Sequence, residues 1–158
     1  MIGKRMGDAL NEQVKWELYS AYLYLSMAAY FESVHLPGFA HWMKKQAQEE
    51  AGHAMKIFDY LASHDYRIRL LPIDAPPGDW SSAEEVFAET YKHEQRVTGL
   101  INDLVRISEE ENDNDAREML RWFEKEQEEE EEGAESVLTK TRAAGESLQS
   151  LDRELAGR

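Results

Sequence analysis

The sequence predicts an all-α fold, a four-helix bundle with one long crossover between helices two and three and a short fifth helix near the C-terminal end. Helical periodicity extends over nearly all of the 158 residues, and no alternating strand pattern competes with it. The links near residues 35 and 113 are short, so each should join two antiparallel helices. Only the segment 66–80 is rich in helix breakers, which are Pro72, Pro76, Pro77 and Gly78.

The first predicted hairpin consists of a helix at about 4–34 and a helix at about 38–65. Pro37 fits the first turn of the second helix, because the N–H that proline lacks would have no partner there. The fifteen residues of 66–80 could span about 50 Å when extended, at roughly 3.3 Å per residue. A 28-residue helix is about 42 Å long. The connection can therefore run the full length of the bundle and leave helices two and three parallel, which is the one-crossover topology.

The second predicted hairpin consists of a helix at about 82–111 and a helix at about 115–144. The third helix begins with a capping box, in which Ser81 or Ser82 pairs with the glutamates that follow. Asp113 begins a short polar run that can cap the fourth helix, and Gly145 is a natural stop after it.

The last element of the predicted fold is a short helix in the C-terminal tail. We take residues 1–145 as the bundle domain and 146–158 as a short helix and tail, with the helix at about 147–155. An apolar stripe runs along it, formed by Leu148, Leu151 and Leu155. Nine residues are too few for a stable isolated helix, so the stripe must pack on its own bundle or on other copies of the chain.

Composition restricts the possible classes of function. The chain has 32 acidic and 18 basic residues and a net charge of −14, which disfavours nucleic acid and anionic membranes as partners and attracts cations. It has no cysteine, which excludes disulfides, thiolate metal sites and thiol catalysis. No stretch approaches 18 apolar residues, and the first residues lack the apolar segment of a signal peptide. We therefore expect a soluble, cytoplasmic protein.

Carboxylates recur at the middle of the predicted helices with a regular spacing. Glu17 and Glu50 are 33 residues apart, and Glu50 also opens a Glu-x-x-His pair with His53. Glu94 follows 44 residues after Glu50, and Gln127 another 33 residues later. Each heptad seam is apolar except near its middle, so the polar positions of all four helices should meet at one height.

Four glutamates in an apolar bundle need a counter-charge. They are Glu17, Glu50, Glu94 and Glu130. A buried unpaired carboxylate costs several kcal/mol, and no lysine or arginine occupies the seams. One polar seam residue could simply mark helix register, but four coincident ones favour a metal site. Oxygen donors with one imidazole suit iron or manganese, and zinc can also bind such sites. A bridged pair of irons fits best, because Glu50 could contact two ions.

Over essentially its full length the chain resembles the prokaryotic non-haem ferritins. The resemblance is carried by Glu17 with Tyr24, by the run Glu49 to His53, by Glu94, and by the run Glu126 to Glu130. The fourth helix lacks the second Glu-x-x-His of the bacterioferritins. Ala51 stands where those proteins have a haem-ligating methionine, so no haem is expected. Without cysteine the chain cannot form the rubredoxin-like domain of a rubrerythrin.

The resemblance implies a role for each of these residues. Glu17, Glu50 and His53 would bind a first iron. A second iron would be bound by Glu50, Glu94 and Glu130. Gln127 would lie beside the pair, and Tyr24 would hydrogen-bond or donate an electron nearby. A third iron position toward the interior would be formed by Glu49, Glu126 and Glu129.

The function implied is iron storage and detoxification. Fe(II) would be oxidised by dioxygen or hydrogen peroxide at the paired ferroxidase site. The ferric mineral would be stored inside a hollow shell of 24 identical subunits. Two alternatives stay open, a di-iron peroxide reductase and a non-catalytic acidic bundle that binds divalent cations.

Overall fold

The computed structural model describes all 158 residues and contains five α-helices and no strand. Their bounds are α1 Lys4–Ser33, α2 Pro37–Ser63, α3 Ala83–Glu110, α4 Asn114–Ala144 and α5 Gln149–Leu155. Every predicted boundary lies within two residues of the observed one. The predicted all-α bundle with a short C-terminal helix is therefore confirmed. No helix is both long enough and apolar enough to cross a membrane.

The helix starts follow the predicted capping chemistry. Pro37 is the first residue of α2. At α3 the Ser82 hydroxyl accepts a hydrogen bond from the Glu85 backbone N–H (3.1 Å). The Glu85 carboxylate in turn accepts from the Ser81 backbone N–H (2.5 Å), so the capping box uses both serines. The Asp113 carboxylate accepts from a backbone N–H in the first turn of α4.

The two hairpin turns have the same construction. His35 follows α1 with φ 61°, and Asn112 follows α3 with φ 53°, both in the left-handed region. The next residue then donates its N–H back into the last helical turn, as Asp113 does to the Ser108 carbonyl (2.8 Å). These turns reverse the chain within a few residues, so α1 and α2 are antiparallel, as are α3 and α4.

The crossover between α2 and α3 follows α1 from one end toward the other. The Asn11 side chain bonds the backbone of Arg69 twice, donating to its carbonyl (2.8 Å) and accepting from its N–H (3.0 Å). Fifteen residues further along α1, the Ser26 hydroxyl donates to the Pro77 carbonyl (2.5 Å). The connection therefore runs lengthwise, and α2 and α3 are parallel as predicted.

The core consists of two apolar clusters, one on each side of the bundle's midpoint. The larger cluster of 18 buried residues is built around Phe31, Phe39 and Phe87. The smaller cluster of 12 contains Ile57 and Phe123. The predicted polar seam residues lie in the gap between the two clusters, where all four long helices come together.

The C-terminal helix packs on its own bundle. α5 begins at Gln149 rather than at residue 147, and Leu151 and Leu155 are buried in the larger apolar cluster. The Asp152 carboxylate accepts a hydrogen bond from the Phe39 backbone N–H (3.0 Å) and so caps the start of α2. Of the two surfaces that the leucine stripe could use, the structure shows the fold-back onto α2.

Candidate metal centre

Each long helix places one glutamate in the gap between the two apolar clusters. The four are Glu17 on α1, Glu50 on α2, Glu94 on α3 and Glu130 on α4. All are buried, with between 0% and 7% of their surface exposed. His53 is also buried, because it lies one turn after Glu50 on the same face of α2.

Ligand atoms in this gap form two groups that share one residue. Glu17, Glu50 and His53 offer atoms that all lie within 4.8 Å of one another, and so do Glu50, Glu94 and Glu130. The His53 Nδ1 atom lies 3.1 Å from Glu50 Oε2 and 3.9 Å from Glu17 Oε2. The structure thus brings together both sets of three residues that the resemblance implied, with Glu50 common to them.

The acids expected at a third position surround a small cavity beside these groups. Glu49, Glu126 and Glu129 line a space of about 240 Å³ together with Glu130. The Glu126 Oε1 atom lies 3.5 Å from His53 Nε2, and these two residues form a third possible metal group with Glu130. This involvement of His53 on the cavity side is not something the sequence indicated.

Three glutamine side chains orient the carboxylates. Gln127 donates to the Glu94 carboxylate and to the Glu94 backbone carbonyl, both at 3.2 Å. Gln46 donates to Glu130 and to Glu50, the latter at 3.3 Å. On α1, the side-chain amide of Gln13 donates a hydrogen bond to the Glu17 carboxylate (3.3 Å).

Tyr24 is a hydrogen-bond donor to the group. Its side chain is fully buried, and its hydroxyl donates to a carboxylate oxygen of Glu94. Burial, reinforced by the charges of Glu94 and Glu50, raises the pKa of Tyr24 well above its ordinary value. The phenol therefore stays protonated at neutral pH and can keep its hydrogen bond to Glu94.

Burial and mutual repulsion change the acidity of the glutamates. Burial raises the pKa of Glu94 to about 7, although the hydrogen bonds from Tyr24 and Gln127 oppose the change. Burial and the Glu94 charge raise the pKa of Glu130 to about 8. The same two causes raise the pKa of Glu50 well above its usual range. Without a cation, the group therefore retains protons at neutral pH.

Two buried oxygen atoms in the gap have no hydrogen-bond partner. They are Glu17 Oε2 and Gln127 Oε1. Buried polar atoms are usually paired, because an unmet one costs about 1–3 kcal/mol. The Glu17 oxygen lies 3.9 Å from the His53 Nδ1 atom, and a carboxylate oxygen without a donor beside an imidazole fits a hard cation such as an iron ion.

Comparison with known proteins shows the family of the chain. The Ferritin-like domain family matches residues 7–144. The chain belongs to the ferritin family. It is 40% identical to the bacterial non-heme ferritin of Bacteroides fragilis, over 100% of both chains. It is 37% identical to that of Escherichia coli O157:H7, over 99% of this chain and 96% of the relative.

A solved ferritin has nearly the same fold. An open pore ferritin from the hyperthermophilic archaeon Archaeoglobus fulgidus superposes with a TM-score of 0.99 at 43% identity. The comparison covers 100% of this chain and 99% of that one. The one-crossover bundle and the short C-terminal helix are thus those of the ferritin fold.

Some side chains at the centre of this ferritin were not predicted to act there. Gln13 and Gln46 each precede a site glutamate by four residues, and they are themselves 33 residues apart, so the spacing could have indicated them. Trp122 lies edge-on to His53, with ring centroids 5.5 Å apart. Arg158 reaches Glu49 and Gln46 from the tail, and no local pattern points to that contact.

Proposed function

We propose that this ferritin stores and detoxifies iron, with the gap between the apolar clusters as a ferroxidase centre. Glu17, Glu50 and His53 bind one Fe(II) ion, and a second binds Glu50, Glu94 and Glu130. The observation that supports this most directly is the presence of two buried ligand groups that share Glu50, in a gap where one Glu17 oxygen has no hydrogen-bond donor. A shared carboxylate can hold two ions close enough to react with one oxidant molecule.

The chemistry of the ligands favours oxidation. Carboxylate oxygens are hard anionic donors and stabilise Fe(III) more than Fe(II). Each Fe(II) gives up one electron, and dioxygen or hydrogen peroxide accepts the pair of electrons. Binding of the ions displaces the protons held by Glu94 and Glu130. Tyr24 and Gln127 hold Glu94 in place during this exchange.

Storage requires more than one chain. A single bundle encloses no space for a mineral, so copies of the chain must form the shell, and we propose 24 of them. Ferric ions would leave the pair through the acidic cavity formed by Glu49, Glu126 and Glu129. Light scattering on the native particle tests the assembly, and we expect a mass many times that of the 18.3 kDa chain.

Replacing the shared ligand tests the ferroxidase proposal. Glu50→Ala should abolish fast Fe(II) oxidation in stopped-flow measurements and leave the particle intact, because it also removes a buried charge. Glu128→Ala is the matched control, since Glu128 is exposed on the helix that carries Glu130. Oxidation by Glu50→Ala at the wild-type rate would refute the bridging role.

The same experiment separates the two alternatives. A peroxide reductase would consume hydrogen peroxide but would not retain iron through gel filtration. A non-catalytic cation-binding bundle would show only background oxidation in the wild-type protein. A ferritin should oxidise Fe(II) rapidly and keep the product within the particle.

A further inference from the structure

The guanidinium group of Arg158 lies at the acidic cavity beside the paired site. It donates to both carboxylate oxygens of Glu49 (3.2 Å each) and to the Gln46 side-chain carbonyl (2.9 Å). It also donates to the Trp42 backbone carbonyl (3.0 Å) and stacks over the Trp42 ring at 4.2 Å. Only a planar, multiply donating cation can satisfy this set of partners at once.

The backbone around Arg158 is held as firmly as the side chain. The His41 ring nitrogen Nε2 contacts the Arg158 backbone carbonyl at 3.1 Å. Just before it, α5 is fixed to the bundle by the buried Leu155 and by the Asp152 cap on α2. The guanidinium is therefore positioned by packing, and its side chain is only 26% exposed.

The contact with Gln46 connects Arg158 to the metal ligands. The Gln46 carbonyl oxygen accepts from Arg158, which turns its amide nitrogen toward the carboxylates of Glu130 and Glu50. One amide thus separates the guanidinium from two proposed ligands. The positive charge also lines the same cavity of about 240 Å³ as Glu126 and its acidic neighbours.

We propose that Arg158 is a built-in counter-ion of the acidic cavity, one that competes with the metal ion entering it. A cation bound by Glu49 at the third position needs the carboxylate oxygens that Arg158 occupies, and two positive charges in one small cavity repel each other. The guanidinium therefore weakens binding at the third position directly, and it reaches the paired site only through the Gln46 amide. This inference rests on the proposed function. Because iron binds weakly in the cavity, the cavity transfers iron from the paired site toward the interior and does not retain it.

The test measures Co(II) binding to the metal-free assembled protein by calorimetry, without oxidation chemistry. Arg158→Gln removes the charge and keeps an amide. Its matched control is Arg153→Gln, which removes an exposed charge from α5 itself. We expect Arg158→Gln to raise the affinity for ions beyond the first two per chain about fivefold, the ratio expected for losing one partly exposed ion pair. Arg153→Gln should leave that affinity unchanged.

Two further variants distinguish competition from a structural role. Arg158→Lys keeps the charge but loses the planar fork, so its affinity for the later ions should lie between those of wild type and Arg158→Gln. In a Glu49→Gln background, Arg158→Gln should have a clearly smaller effect, because the carboxylate that couples the two cations is gone. Equal affinities in wild type and Arg158→Gln, or no binding beyond two ions in either, would overturn the proposal. Failure of the first two ions to bind would instead count against the paired site.

Discussion

The metal-free protein should lose stability as the pH rises from 5 to 8. The cause is a set of buried carboxyl groups. The pKa values of Glu94 and Glu130 are raised to about 7 and about 8, and that of Glu50 is raised well above its usual range. In the unfolded chain they would release their protons near the ordinary glutamate pKa of 4.5. The folded state is therefore favoured most fully below that value, and it loses this advantage as the pH rises through 7 and 8.

The size of the effect follows from these values. One pKa unit corresponds to about 1.4 kcal/mol, so the loss is on the order of 3 kcal/mol for Glu94 and 5 kcal/mol for Glu130. The two groups repel each other, so the contributions do not add, and we expect a total on the order of 5 kcal/mol. A bound divalent cation removes the penalty, because it supplies the counter-charge that the gap lacks.

Thermal unfolding of chelator-treated protein, followed by circular dichroism at several pH values, measures this dependence. Glu130→Gln should give a shallower decline than wild type, since one of the groups with a raised pKa is gone. Glu128→Gln changes an exposed neighbour and should follow the wild-type curve. Added Zn(II) should stabilise the wild type more at pH 8 than at pH 5. Parallel curves for wild type and Glu130→Gln would show that the Glu130 carboxyl is not protonated in the folded protein.

Two further predictions concern the interior and the tail. The first replaces three acids by alanine, namely Glu49, Glu126 and Glu129. In stopped-flow measurements the rate of the first turnover should stay largely unchanged, and the rates of later turnovers should change. If all rates equal those of the wild type, these acids are only a solvent-exposed face of the helices. Ending the chain after Gly145 should spare the paired site but loosen the shell, because two buried leucines worth roughly 3–6 kcal/mol are lost. Light scattering measures the size of the truncated particle, and an iron assay measures how much iron it retains. Arg158→Gln is the control, because it removes the guanidinium and keeps the rest of the tail.

The sequence predicts the helices well because their ends are determined locally. Ser82, Asp113 and Gly145 act within a few residues of themselves, so their effect can be read without knowing the tertiary structure. The clustering of the carboxylates can also be predicted from the sequence. Charged side chains in the buried seams of several helices are stable only when they lie at the same height and share a counter-charge. The spacing of 33 residues between Glu17 and Glu50 carries this information across the hairpin.

Contacts made by the tail could not be predicted in the same way. Arg158 lies 109 residues from Glu49 along the chain, and the contact depends on how α5 docks on α2. That docking in turn depends on the Asp152 cap and on the leucine stripe. From the sequence alone, the stripe could equally have packed against another copy of the chain. Periodicity identifies an apolar face but does not say which surface covers it.

The two halves of the repeated hairpin are chemically unequal, although their spacing is the same. In the α1–α2 half, His53 lies between Glu50 and Glu17, and one Glu17 oxygen has no donor at all. In the α3–α4 half, Glu94 receives hydrogen bonds from both Tyr24 and Gln127, and no imidazole comes from α4. Because Glu94 and Glu130 retain protons near neutral pH, a cation must displace those protons to bind there. Occupancy of that half should therefore depend steeply on pH between about 6 and 8, close to the raised pKa values.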